Sequence, residues 1–329
     1  MWLTRCWIPK CAMGESAKTQ GIRAGGGGTR TGQGPWSRAW SHFWSRAPAK
    51  YSAVLLLALA VWVGAGPAWL GDKALRLTDA NLSPPGAQHW FGTDLHGRDL
   101  LSRVLSGARI SVAVGLVGAM VSLVIGVSVG AIAGYWGGKL DAILMRLVDA
   151  LYALPSILLV IVLVAVLEDA AKASWGGSHA VEAGGWIRLL FLLGGLGAVS
   201  WLTMARVVRG QVLSIRERAF VEASRALGGG RWHVLRRHVL PQLSGVVLAY
   251  LMLTVPGIIL YESFLSYLGL GIQPPHASLG TLIAEGAGQL NPIRISWWLL
   301  VFPGGMLVLT LALLQQVGDG LREAFDPKA

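Results

Sequence analysis

ISVAVGLVGAMVSLVIGVSVGAIAGY, residues 110–135, runs without a single charged side chain. A helix rising about 1.5 Å per residue crosses a hydrocarbon core about 30 Å thick in about 20 residues, so this stretch is long enough to span a bilayer. Lipid offers backbone N–H and C=O groups no water, and a spanning segment must satisfy them internally as a helix. Five more stretches are predominantly apolar over a similar length: 51–70, 147–167, 186–207, 243–261 and 297–317. Six such spans predict an all-α, polytopic membrane protein. The chain then divides into a basic extension at 1–50, a first span with its following segment at 51–108, and a five-helix core at 109–329 with a loop at about 207–241.

The composition agrees. Of 329 residues, 53% are hydrophobic and only 14% charged, against about 25% charged in a soluble domain. Mean hydropathy is +0.55 beside a net charge of +11. A disordered tail or a nucleic-acid-binding domain explains the charge but not the hydropathy. Cys6 and Cys11 form a lone C-x4-C without a second pair, neither a zinc site nor a disulfide framework.

Orientation follows from lysine and arginine. The extension carries Arg5, Lys10, Lys18, Arg23, Arg30, Arg38, Arg46 and Lys50 against Glu15. The loop after the fourth span carries Arg206, Arg209, Arg216, Arg218, Arg225, Arg231, Arg236 and Arg237 against Glu217 and Glu222. The positive-inside rule puts both in the cytoplasm, which six crossings allow, with both termini on that side. The extension reads either as a flexible tail or as a surface helix whose Trp36, Trp40 and Trp44 share one face on anionic lipid.

Within the spans, Gly126, Gly130 and Gly134 stand four apart on one face, where missing Cβ atoms admit another helix. That face calls for a partner. Pro155, Pro256 and Pro303 lie in or near the third, fifth and sixth spans as candidate kinks.

Several chemistries are missing. No G-x-x-x-x-G-K-[ST] phosphate loop exists; Gly137-Gly138-Lys139-Leu140 lacks both spacing and hydroxyl. No H-E-x-x-H occurs, and His89, His96, His179, His233, His238 and His276 are scattered. The acids nearest bilayer depth, Asp149 and Glu262, fall at expected helix ends within reach of the interface, which argues against an ion relay. The sequence points to no catalytic residue, metal or cofactor in this chain, so energy for transport must come from elsewhere.

The loop between the fourth and fifth spans is the most informative segment. Glu222-Ala223-Ser224-Arg225-Ala226-Leu227-Gly228 leads on to His238-Val239-Leu240-Pro241. A helix over 212–227 is expected to stop at Gly228–Gly230, and a second piece to run from Trp232 to Pro241. Two readings stand: an elbow whose small residues enter a partner's groove, or a basic loop resting on lipid.

Glu222-Ala223-Ser224, Gly228 and Leu240-Pro241 resemble the EAA loop of ABC importer permeases, with Ser224 where alanine is usual and His238 where the general motif has isoleucine. Phe91-Gly92-Thr93-Asp94 with Gly97-Arg98-Asp99, Gly271-Ile272-Gln273-Pro274-Pro275, and Gly318-Asp319-Gly320-Leu321-Arg322-Glu323 with Asp326-Pro327-Lys328 are similar to the dipeptide/oligopeptide (and nickel) permease family. The resemblance covers 91–328; the extension matches nothing in it. It implies a bacterial inner-membrane subunit pairing with a second permease, two cytoplasmic ATPases that bind ATP and Mg²⁺, and an extracytoplasmic binding protein. It also implies that Glu222, Ala223, Ser224, Gly228, Leu240 and Pro241 dock the ATPase. Thr93 or Asp94 is expected to cap the second span, with Gly97, Arg98 and Asp99 completing an outer motif that is either structural or a contact for the binding protein. An ion-coupled carrier acting alone and a membrane scaffold are the alternatives.

Overall fold

The computed structural model describes residues 35–70, 74–175, 184–272, 276–290 and 295–325. Among them every regular element is a helix, and the one β-bridge, Thr93 to Asp99, stands isolated. The order is α1 (Pro35–Ser45), α2 (Ala47–Leu70), α3 (Leu100–Trp136), α4 (Gly138–Tyr152), α5 (Ser156–Trp175), α6 (Gly184–Arg216), α7 (Ala219–Ala226), α8 (Arg231–Val234), α9 (Leu240–Tyr267), α10 (Leu279–Gly288) and α11 (Trp298–Ala324).

Four helical paths among the described residues are long and apolar enough to cross a membrane: Ala47–Gly66, Leu100–Trp136, Arg231–Tyr267 and Trp298–Ala324. A fifth exists if the bent pair Gly138–Tyr152 and Ser156–Val166 counts as one span. The six expected spans are therefore four or five by this measure. The stretch 147–167 is not one straight helix: α4 and α5 meet at 95°. Pro155 explains the corner. It has no N–H to continue α4, and its carbonyl instead opens α5 by accepting from the Leu159 N–H at 3.1 Å. The expected span 186–207 lies inside α6.

The most extensive pairing joins α3 and α6. Its seam is the glycine face. A Cβ on Gly126 would sit 2.6 Å from Cβ of Met204, one on Gly134 would sit 2.9 Å from the Arg209 carbonyl oxygen, and one on Gly130 would overlap the Ala205 carbonyl. The face expected to await a second subunit is thus filled by a helix of the same chain, because the sequence leaves open which helix comes close. Leu116, Val117, Met120, Val121, Val124 and Ile125, on another face of α3, line an open apolar groove in which Leu116, Val117, Met120 and Val124 are exposed.

Pro256 and Pro303 lie buried inside α9 and α11. Pro303 denies the Leu299 carbonyl its helical donor, and Gly286 of α10 packs against that carbonyl with no room for a Cβ. The C-terminal glycines also seat neighbours: Gly318 faces Leu253 of α9, and Gly320 faces Phe43 and Ala49.

Residues 1–34, with Cys6 and Cys11, lie outside the described set. Within the rest of the extension, α1 leaves Trp40 59% and Trp44 39% exposed, as a surface helix would. Phe43, however, is buried at 3% among Ala49, Ala249, Val317 and Leu321. α1 therefore packs against α11, with an Arg46–Glu323 ion pair beside it.

Candidate functional site

The elbow begins where α6 breaks. The single helix expected over 212–227 is two: α6 ends at Arg216, and Arg218, extended at φ −82° and ψ 144°, precedes α7. At the other end of α7 the Gly228 N–H donates to the Arg225 carbonyl at 3.0 Å and the Gly229 N–H to the Ser224 carbonyl at 3.0 Å. This reciprocal closure needs a left-handed residue at its first position, and Gly228 supplies φ +82°. The two glycines serve different ends. Gly228 has open space around it, whereas a Cβ on Gly229 would sit 2.6 Å from the Ser224 carbonyl oxygen.

Val221, Val234, Leu235 and Val239 root the elbow among Val208, Val212 and Leu243. The opposite side presents Glu222, Ala223, Ala226 and Gly228 to solvent, with Leu227 89% and Trp232 60% exposed. An apolar side chain that exposed beside small residues makes a docking knob.

Past the turn, the second piece does not stop at Pro241. Helix runs unbroken over Arg231–Tyr267. A π turn, Leu235–Val239, lies between α8 and α9, with the Leu240 N–H reaching back to the Leu235 carbonyl. Pro241 follows at the start of α9, where its missing N–H is tolerated, and Leu240 is half-buried beside it. The elbow is thus set off from α6 by the break at Glu217–Arg218, and past its Gly228–Gly230 turn the chain runs from α8 into α9 without interruption.

At the far end of α3, the capping residue is Asp99 rather than Thr93 or Asp94: its carboxylate accepts from the Ser102 N–H at 2.9 Å. Capping requires the residue immediately before the helix, and a turn closed by Gly97 at φ +71° delays the start of α3 to Leu100. Thr93, fully buried, accepts from the Ser83 N–H at 2.8 Å, and its carbonyl accepts from the Trp298 indole at 3.2 Å. Asp94 accepts from the N–H groups of His96 and Arg98 at 2.8 and 2.9 Å, and from the guanidinium groups of Arg98 and Arg103 at 2.6 and 2.7 Å. Arg103 also grips Glu285 of α10 at 2.6 and 3.0 Å.

Burial alone would raise the Asp94 pKa, but the Arg98 N–H and the guanidinium groups of Arg103 and Arg98 outweigh it and hold the carboxyl below its ordinary value. A depressed folded pKa contributes stability above the ordinary aspartate range and loses it as pH falls through the folded value. Asp94→Asn should therefore lower thermal stability at pH 7 by about 3 kcal/mol, with the gap to wild type closing in acid. Melting curves of the detergent-solubilised chain across pH would check this; a gap unchanged at low pH would contradict it.

The description "Binding-protein-dependent transport system inner membrane component" matches residues 126–329, which include the elbow, α9 and the C-terminal helix. The chain belongs to that family. The permease is 40% identical over 301 residues to the oligopeptide transport system permease protein OppC of Haemophilus influenzae, covering 90% of each chain. It is 42% identical to OppC of Escherichia coli, covering 90% of this chain and 92% of the relative. It is also 39% identical to the dipeptide transport system permease protein DppC of Bacillus subtilis, over 88% and 85%. A solved inward-facing MetNI methionine ABC transporter shares the fold, with TM-score 0.52 and 20% identity over 69% of this chain and 97% of that one.

The permease also holds a buried cluster that hydropathy hid. Glu262 is enclosed by protein, 0% exposed. Ser266 donates to it at 2.6 Å and Ser111 of α3 at 3.0 Å, while Ser111 accepts from the Leu279 N–H at 3.2 Å. Ser278, the N-cap of α10, donates to Ser266 at 3.2 Å. One carboxyl therefore ties α3, α9 and α10 together. The sequence signal was the set of serines at 111, 263 and 266 inside apolar stretches, with Glu262 and Ser266 one helical turn apart. Asp149 is instead 66% exposed and paired with Arg206 at 2.7 Å. Gln273, Pro274 and Pro275 of the outer motif and Asp326, Pro327 and Lys328 of the C-terminal one lie outside the described residues.

Proposed function

We propose that this chain is one permease subunit of an ATP-driven importer for peptides or similar small solutes, and that its elbow is the handle by which a separate ATPase moves α9. The observation that carries the reading is the elbow's construction: an exposed knob at Leu227 beside the small residues of α7, closed by Gly228 and followed, after the Gly228–Gly230 turn, by a membrane-length helix that starts at Arg231. Peptide as solute rests on the names of the relatives.

On this reading the chain crosses the membrane six times with both termini cytoplasmic, α6 and the α4–α5 pair supplying two of the crossings. The elbow faces the cytoplasm. A second permease covers the groove formed by Leu116, Val117, Met120 and Val124, which in the isolated chain is open and apolar. Two ATPases bind ATP and Mg²⁺, this chain holding no cofactor of its own, and an extracytoplasmic binding protein delivers solute. Because Asp94 is buried, contact with that protein falls to its exposed surroundings, Trp90 at 67% and Leu95 at 45%. Nucleic acid has no place in this scheme, and lipid contacts the outward apolar faces.

A solitary ion-coupled carrier would need a carboxyl open to an aqueous path. Glu262 is enclosed by serines instead.

Co-purification tests the proposal. The ATPase should accompany the wild-type chain and be lost about thirtyfold or more when Glu222→Arg and Leu227→Asp are combined, since a reversed charge and a desolvated acid each remove more than about 1 kcal/mol from an interface. Equal recovery with both changes would refute the docking role.

A further inference from the structure

Behind the elbow lies a cleft that docking does not use. It measures about 440 Å³ and is lined by Tyr135 and Trp136 at the end of α3, Arg216 at the end of α6, Arg225 of α7 and Arg231 of α8. Three guanidinium groups converge there. Arg216 is partly engaged, donating to the Gly134 carbonyl at 3.1 Å, and Glu217 approaches it at 4.0 Å but is 75% exposed. Arg225 lies 5.2 Å from the centre of the Tyr135 ring. Arg225 and Arg231 have no carboxylate within ion-pair distance among the described residues.

Tyr135 makes the cleft more than a basic surface. It is only 5% exposed, and its hydroxyl has no hydrogen-bond partner among the described residues. A buried phenol left unpaired is costly, so natural interiors rarely keep one without a ligand or water to meet it. Unpaired guanidinium groups beside an unpaired hydroxyl match an anion with several acceptor oxygens, and arginine is the side chain whose planar fork fits phosphate.

The depth of the cleft selects the source of that phosphate. The cleft opens where the apolar length of α3 ends, at Trp136, which pairs with Trp232 at 6.0 Å between ring centres. Tryptophans concentrate at the level of lipid headgroups. We infer that this cleft binds the headgroup phosphate of an anionic phospholipid. The inference rests on the membrane reading of α3 and is independent of ATPase docking.

Native mass spectrometry of the full chain in detergent, titrated with phosphatidylglycerol, phosphatidylcholine and inorganic phosphate, tests it. Wild type should retain phosphatidylglycerol in preference to phosphatidylcholine. Combining Arg225→Gln with Arg231→Gln should lower retention about tenfold, the loss expected when charge-assisted hydrogen bonds go. Tyr135→Phe removes only an unpaired hydroxyl, so the fold survives, and retention should fall severalfold. Combining Arg236→Gln with Arg237→Gln removes the same charge from positions that, like Arg225 and Arg231, are exposed but do not line the cleft, and should leave retention unchanged. Equal losses in the two double variants would overturn the site in favour of diffuse charge. Displacement of lipid by inorganic phosphate at matching concentration would overturn the headgroup assignment in favour of soluble phosphate. Neither result bears on whether an ATPase co-purifies.

Discussion

Gly228→Val should leave membrane insertion intact while cutting solute uptake per ATP hydrolysed by roughly tenfold. The position has room, because a Cβ placed there would meet no atom within 4 Å, so the effect comes from the backbone alone. At φ +82° a β-branched residue is strained by about 1–3 kcal/mol, and the chain relieves this by opening the closure onto Ser224 and Arg225. The knob at Leu227 would then point away from the axis shared by α8 and α9. Gly228→Asn, which tolerates the left-handed region, should retain most of the coupling. Uptake and hydrolysis measured together in proteoliposomes containing the whole transporter give the ratio. Normal coupling in the valine variant would remove the elbow from the mechanism.

The second large effect is expected at Glu262. Glu262→Ala leaves Ser111 and Ser266 without their shared acceptor and opens a cavity where α3, α9 and α10 meet. Lost hydrogen bonds and the cavity together should cost about 3–5 kcal/mol, enough to reduce the yield of folded protein sharply. Glu262→Gln keeps the volume and an acceptor oxygen, and should lose less than half as much. Thermal unfolding in detergent distinguishes the two. An alanine variant melting with wild type would show that the cluster contributes nothing to holding these helices together.

The helical membrane character of this chain was legible because it follows from length and polarity: predominantly apolar stretches of span length have one way to satisfy their backbone in lipid. The elbow was legible too, since Gly228 is a turn residue for reasons local to its own φ angle. Local chemistry also misled. Hydropathy averaged across Pro155 and merged two helices that meet at 95°. Pro241 read as a stop, yet the π turn before it carries the helix through.

Tertiary structure alone decided the rest. Which helix fills the glycine face of α3, how Asp94 comes to share Arg103 with Glu285, and why Glu262 is buried among serines all depend on groups far apart in the chain. Periodicity reports which face of a helix is small or apolar, but a contact partner is selected by packing the whole bundle, and that selection is nonlocal. Tyr135 is the sharpest case: its sequence neighbours place it at a helix end, and only the convergence of α3, α6, α7 and α8 buries its hydroxyl at the wall of a cleft that three arginines also line.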